Sequence, residues 1–246
     1  MKRFLLCILL LTTCLMPLAT AQEPDSTTDS VTVRKAKFVF DDPSGRNTVM
    51  FSSEAPLETI IGKTSDLFGY VDFNLDSLLD NPKAYFECDV TNLKTGIDLR
   101  DEKIRSEEYL TADSFPVATF NLLSIKKTSD VIMLNETVAN IVGRGEFSLH
   151  GMVDTVNVTL TATYFEANEI TETRLPGDIL KFKADFDIRM SHFGITIPEE
   201  VILKLDDRIH VHIDAFGGTG VEPIDRTAVM TEDPVDEPAE EGEATE

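Results

Sequence analysis

Cysteine is scarce in this chain. Of its three cysteines, Cys7 and Cys14 fall in a leading apolar run, so once that run is removed Cys88 has no partner for an internal disulfide. Stability must then come from an apolar core, which a chain of this size can build. Basic residues are few as well: 22 lysines and arginines stand against 44 acidic residues, a formal net charge of −22. Nucleic-acid and anionic-membrane partners need clustered basic residues, and no cluster occurs, so no nucleic acid is expected. Catalytic signatures are missing too. A serine nucleophile on a strained Gly-x-Ser-x-Gly turn, a phosphate-cradling loop and a dinucleotide fingerprint are all absent, so neither an enzyme nor a cofactor is expected.

The apolar run from Phe4 to Leu18 follows Lys2-Arg3 and precedes Ala19-Thr20-Ala21. Those are the three parts of a secretory signal peptide, residues 1–21, with cleavage after Ala21. Thr12, Thr13 and Pro17 interrupt the run, which is shorter than the roughly 20 apolar residues a span requires, so no stable membrane span is expected after cleavage. A lipoprotein site at Leu11-Thr12-Thr13-Cys14 is the rival, with Thr13 bulkier than the small residue such processing prefers. Without Lys2 and Arg3 the mature chain carries −24. Residues 22–31 read as a flexible polar leader. Beyond residue 217, acidic pairs such as Glu232-Asp233 and Glu240-Glu241 alternate with proline and alanine. A segment of that composition buries too little to offset its ordering entropy, so 218–246 is expected to be a disordered acidic tail.

Between the two ends, residues 32–217, the dominant signal has period two, which marks β-strands with one apolar face. Phe38 and Phe40 open it, Val49 and Phe51 follow an Asp-Pro-Ser-Gly turn, and Ala55 to Thr64 reads as a connection. Val71, Phe73 and Leu75 form the next row, and Ala84, Phe86, Cys88 and Val90 another. Later rows hold Ala118, Phe120 and Leu122; Ile141, Gly143, Gly145, Phe147 and Leu149; and Val156, Val158, Leu160 and Ala162. The last two are Phe182, Ala184, Phe186 and Ile188, then Ile209, Val211 and Ile213. Gly143 and Gly145 mark a bend of the kind a barrel corner needs. One all-β domain of about eight antiparallel strands follows, a barrel or a sandwich. Its inward rows carry a heavy load of phenylalanine, which either fills the interior or lines a space for one ligand.

One stretch breaks the alternation. Residues 95–120 hold a turn at Thr95-Gly96, then a short charged helix in which Leu99 and Ile104 give a narrow apolar stripe, then Phe115-Pro116 opening a new strand. The insertion reads as a lid across a barrel end or as a crossover between sheets.

That stretch, with Thr95-Gly96, Arg100-Asp101, Tyr109-Leu110, Phe115-Pro116 and Phe120 in order, resembles the signature of the YceI-like family. Phe51 to Glu58 (FSSEAPLE), Gly145 to Gly151 (GEFSLHG) and Phe193-Gly194-Ile195 match as well, over roughly residues 32 to 217. The sequence departs at Ser53-Glu54, where many members carry histidine, and at His192, where an acidic residue is more usual. The resemblance implies a lipocalin-like antiparallel barrel, with the helical insertion after Gly96, holding an isoprenoid or other long-chain fatty lipid. It implies a cavity lined by Phe73, Phe86, Phe120, Leu122, Phe147, Leu149, Leu160, Phe182, Phe186, Ile188 and Ile213. A filled barrel of structural or stress-response type, without ligand, is the alternative.

Polar candidates are few. His150 at a strand end could meet a lipid head group at the barrel mouth or serve a solvated turn, while Arg100-Asp101 is expected to form a structural pair that fixes the lid, with contact from Arg100 to a polar lipid head as its rival. Cys88, on an inward row, is expected to be an inert core thiol. His210, His212 and Asp214 share an outward face at a metal-ligand spacing, and ordinary surface residues explain them equally, so no metal is expected. The oligomeric state is open, a homodimer being one arrangement the sequence allows. The leading segment makes the mature protein periplasmic or secreted, and N-terminal sequencing of the exported protein should begin at Gln22. A first residue at a lipid-modified Cys14, or an intact Met1, would overturn that reading.

Overall fold

Alternation sends every second side chain of an extended segment to one face, and ten segments of this chain obey it. The computed structural model describes residues 33–223. The expected signal peptide and leader, and the expected tail from residue 224 onward, lie outside the described residues. The strands are β1 (Lys35–Asp41), β2 (Thr48–Glu54), β3 (Thr59–Thr64), β4 (Leu67–Asn74), β5 (Lys83–Asp89), β6 (Val117–Thr128), β7 (Val138–Leu149), β8 (Met152–Phe165), β9 (Ile179–Arg189) and β10 (Arg208–Gly218), with one α-helix among the described residues, α1 (Asp98–Arg105), between β5 and β6.

Neighbouring strands pair antiparallel in the order β1-β4-β5-β6-β7-β8-β9-β10, and β10 returns to β1 where Gly218 faces Val39. The sheet is therefore a closed eight-stranded barrel. The remaining two strands lengthen the ring without widening it. β2 pairs with β10 from Ile209 to Asp214, on the edge where β1 takes Gly218, so β1 and β2 follow one another along a single edge. β3 and β4 do the same on the far side, β3 against β2 and β4 against β1. The connection at Ala55 to Thr64 expected from sequence is corrected here: its second half is β3. Its inward residues are Ile60, Gly62 and Thr64, too small and polar a set to register as a hydrophobic row.

The break between β1 and β2 is a built turn. Asp42 accepts hydrogen bonds from the Arg46 backbone N–H at 2.8 Å and from the Arg46 guanidinium at 2.6 and 2.8 Å, which holds its carboxyl below the usual range. The Arg46 guanidinium lies over the Phe216 ring at 5.2 Å, a cation–π contact. Beside it the buried Asn47 side chain accepts the Phe216 backbone N–H at 3.0 Å, completing the ladder where β10 passes from β2 to β1.

Curvature has a visible origin in β6 and β7. The β6 ladder slips at Leu122/Ser124 and Ile125/Lys127, opposite Gly143 and Gly145. A Cβ at Gly145 would sit 2.4 Å from the Phe120 ring, so only glycine lets β7 approach there.

Chain order also runs past the boundary set by composition. Gly218 ends β10, Thr219 and Gly220 donate to the Asp178 and Pro176 carbonyls, and Val221 packs against Leu175, Ile179 and Phe216. Pairing with the loop before β9 holds these residues, which the acidic composition further on had placed in the tail.

An Asn47→Ala protein should lose about 1–3 kcal/mol, the cost of leaving the buried Phe216 N–H without an acceptor. Chemical denaturation measures it; a loss under about 0.5 kcal/mol, below the net worth of an ordinary hydrogen bond, would show that the strand break is not held by this contact.

Candidate functional site

The inward rows do not fill the barrel. They enclose a cavity of about 410 Å³, within the roughly 300–1,000 Å³ span of small-molecule sites. Phe73, Phe86, Phe120, Leu122, Phe147, Leu149, Leu160, Phe182, Phe186, Ile188 and Ile213 all stand on its wall. Phe86, Phe120, Leu122, Phe147, Leu160 and Ile213 point inward and are nevertheless only partly buried, because their inner surfaces face open space. Their apolar area is unmatched in the protein alone.

Aromatic rings divide the interior. Phe40, Phe86 and Phe182 form a triangle with centroids 5.1 to 5.3 Å apart, inside the range favoured by aromatic pairs. Phe147 contacts Phe186 at 5.4 Å and Phe193 at 5.7 Å, each ring edge against face. One end of the barrel is sealed. Phe38 stacks on Phe73 at 5.6 Å and meets Tyr164 edge-on, and Met133, wholly buried, is inserted by the loop between β6 and β7. Backbone bonds from Leu78 N–H to the Val131 carbonyl and from Met133 N–H to the Leu75 carbonyl, both 2.7 Å, fix that floor.

The opposite end carries α1, whose Arg100, Lys103 and Ile104 reach the cavity wall with Tyr109 and Leu110 behind them. Sequence had placed Leu99 and Ile104 on one buried stripe. Only Ile104 turns inward; Leu99 is 80% exposed. The expected Arg100-Asp101 pair is likewise corrected. Consecutive helical residues do not face each other, and the two side chains serve different partners. Arg100 pairs with Glu58 at 2.7 Å, and its Nε donates to the Thr95 hydroxyl oxygen at 3.0 Å. Asp101, buried, accepts the Thr95 backbone N–H at 2.7 Å and the Thr95 hydroxyl. Burial pushes the Asp101 carboxyl upward, but the two Thr95 donors, with Lys94 and Arg105 nearby, outweigh it and hold the group below the usual carboxylate range. Two further segments complete the mouth, the turn bearing Glu58 and the loop bearing Val201, Lys204 and Leu205.

The structure does not bring His150 to the cavity wall. Its Nδ1 lies 2.9 Å from the Phe193 carbonyl, which only accepts, so Nδ1 carries the hydrogen. Nε2 in the neutral ring then accepts the Thr111 hydroxyl at 3.1 Å, and Phe115 packs edge-on at 5.2 Å. His150 clasps the β7–β8 turn to two loops of the mouth. Cys88 does stand on the wall, its thiol pushed up to about 12 by burial, with Asp89 and Asp66 adding to the effect. His210 and His212 lie on the outer face of β10, each with Nδ1 within 2.9 Å of an aspartate of β9, Asp187 and Asp185 respectively. Among the described residues no histidine and no serine lines the cavity.

An Asp101→Ala change should cost about 1.5–3 kcal/mol, the worth of hydrogen bonds to a charged group, and should speed proteolysis within residues 97–110. Because the folded-state pKa is lowered, this stability is present above the unfolded carboxylate pKa of about 3.9 and fades as pH falls through the lower folded value. Limited proteolysis across pH 3 to 7, as a range set by that reference pKa, checks it; wild-type and variant proteins cleaved alike at neutral pH would show that Asp101 does not hold α1.

Solved structures with this fold are already known. One, from Burkholderia cenocepacia BcnA, is 16% identical with a TM-score of 0.52 over 72% of this chain and 99% of that one. Another, a polyisoprenoid binding domain from Saccharophagus degradans, is 14% identical with a TM-score of 0.54 over 76% of this chain and 99% of that one. At such identities the likeness bears on the fold. No curated protein matches in sequence. The family signal itself comes from the model of the YceI-like domain, which matches residues 29–216; with that span taking in α1 and all of the barrel but the last two residues of β10, the chain belongs to the YceI-like domain family.

Proposed function

We propose that this is an exported protein, periplasmic or secreted, that binds a long-chain isoprenoid or a similar fatty amphiphile inside the barrel and sequesters or carries it unchanged. The observation that supports it is the cavity of about 410 Å³ with partly exposed inward rings. A filled barrel would bury those rings against each other. The name of the Saccharophagus degradans relative, a polyisoprenoid binding domain, supports the ligand class. So does the chemistry of the wall, whose polar groups gather at the mouth while its depth is hydrocarbon.

Affinity in such a site needs few polar contacts. Each buried CH₂ is worth about 0.8 kcal/mol, so burying some twenty carbons gains on the order of 16 kcal/mol against association costs of roughly 4–15 kcal/mol. Burial pushes the Cys88 thiol up to about 12, and among the described residues no histidine lies on the wall beside it. Binding without turnover is the reading that suits these residues.

Leu122 stands on the wall and is only partly buried, so a larger side chain has room. Leu122→Trp should weaken binding of a long-chain prenol at least about tenfold while costing the ligand-free protein under about 1 kcal/mol, less than the 1–3 kcal/mol of overpacking a filled core. Native mass spectrometry of protein taken from its own host, with fluorescence titration and denaturation of delipidated samples, makes the comparison. Wild-type protein that carries no lipid and binds none, with the full overpacking cost in the variant, would leave the filled barrel standing.

A further inference from the structure

The mouth exposes more apolar surface than a water-facing rim needs. Leu99 is 80% exposed, Leu57 70%, Ile202 58%, Leu203 52% and Ile97 51%. These residues are not scattered. Leu57 adjoins Glu58, Leu99 adjoins Arg100, Ile202 adjoins Val201 and Leu203 adjoins Lys204, and each of those neighbours lies on the cavity wall. The Leu57 N–H donates to the Leu203 carbonyl at 2.9 Å, tying two of the segments, and the Arg100–Glu58 pair ties in the third. The result is an apolar lip around the opening of an apolar cavity.

Contiguous exposed apolar surface of this kind marks an interaction site, and its position narrows the partner. We propose that the lip docks on a zwitterionic phospholipid bilayer and that lipid passes there between membrane and cavity; this rests on the lipid-binding reading above. Long hydrocarbon chains do not travel singly through water, so a protein that loads one must meet it where it is stored. Side chains lodged among acyl chains would bring the mouth to the stored lipid without a passage through water. Charge selects the type of bilayer. Around the lip Glu58, Asp98, Glu102, Glu199 and Glu200 outnumber Arg100, Lys103 and Lys204, and the whole chain carries −22. Two copies meeting face to face, or an anionic bilayer, would be opposed by that charge; a neutral surface would not.

The sealed end supplies an internal control. Leu79, Val131, Ile132 and Leu134 are comparably exposed there, but they surround the closed floor at Met133. Full-length mature protein should sediment with phosphatidylcholine vesicles, and adding phosphatidylglycerol at low salt should weaken it. Leu99→Glu combined with Leu203→Glu should lower the bound fraction at least about tenfold, since each buried leucine is worth about a factor of ten or more. The same protein should keep its equilibrium affinity for a detergent-dispersed prenol within about twofold, a few tenths of a kcal/mol. The control pair Ile132→Glu with Leu134→Glu should change neither. Wild-type protein that binds dispersed prenol but ignores vesicles would overturn the docking proposal alone. Equal loss in the control pair would overturn it too, and so would sedimentation showing a dimer that the Leu99→Glu, Leu203→Glu protein cannot form, which would give the lip to a second copy. No prenol binding in any form would instead defeat the lipid-binding reading.

Discussion

Ring closure is the constraint on which the other features depend. Once β10 pairs back onto β1 and β2, the ring is closed and the barrel's circumference is set by eight strand positions. The interior width then follows from strand number, and side chains must adapt to it. Large rings on the inward rows cover the wall and close one end, yet they leave a space between them. Glycine at 145, the bulges of β6 and the Asp42–Arg46 turn are the local adjustments that let a flat ladder bend shut.

Much of this was legible because period two carries both fold and site. A residue that faces inward on a barrel strand faces the interior, so the rows from Phe73 to Ile213 could be read from alternation; that they would bound a space and not a filled core came only with the resemblance to the YceI-like family. What escaped the sequence lacked periodicity or owed its position to distant partners. Met133 seals the floor from a loop, Val201 and Lys204 reach the mouth from another, and β3 hides behind glycine and threonine. Arg100 and Asp101 stood out in the sequence as a pair, but helix geometry sends them to Glu58 and to Thr95, partners that linear spacing does not announce. His150 was visible as a strand-end histidine; that both its nitrogens serve Phe193 and Thr111 depends on loops far away in sequence.

The mouth and the floor are built by different means. Apolar insertion closes the floor: Met133, Leu75 and Leu78 enter among Phe38, Phe73 and Tyr164, and backbone bonds at Leu75, Leu78, Met133 and Glu136, with the Arg34–Asp76 pair, stitch the loops around them. Polar contacts hold the mouth, through Thr95 with Asp101, Arg100 with Glu58, and His150 with its two partners. Hydrogen bonds to the charged groups among them are each worth about 1.5–3 kcal/mol net and can be exchanged with water, whereas withdrawing a buried methionine leaves a cavity.

A vessel closed below and open above measures what is put in it. A hydrocarbon tail lowered toward Met133 can be hidden only to that depth, and any carbons beyond it remain at the rim, where water makes them unwelcome. In the lipid-binding role proposed above, chain length, more than the chemistry of the head, is the quantity such a barrel would sort by, and the position of one methionine would set the scale.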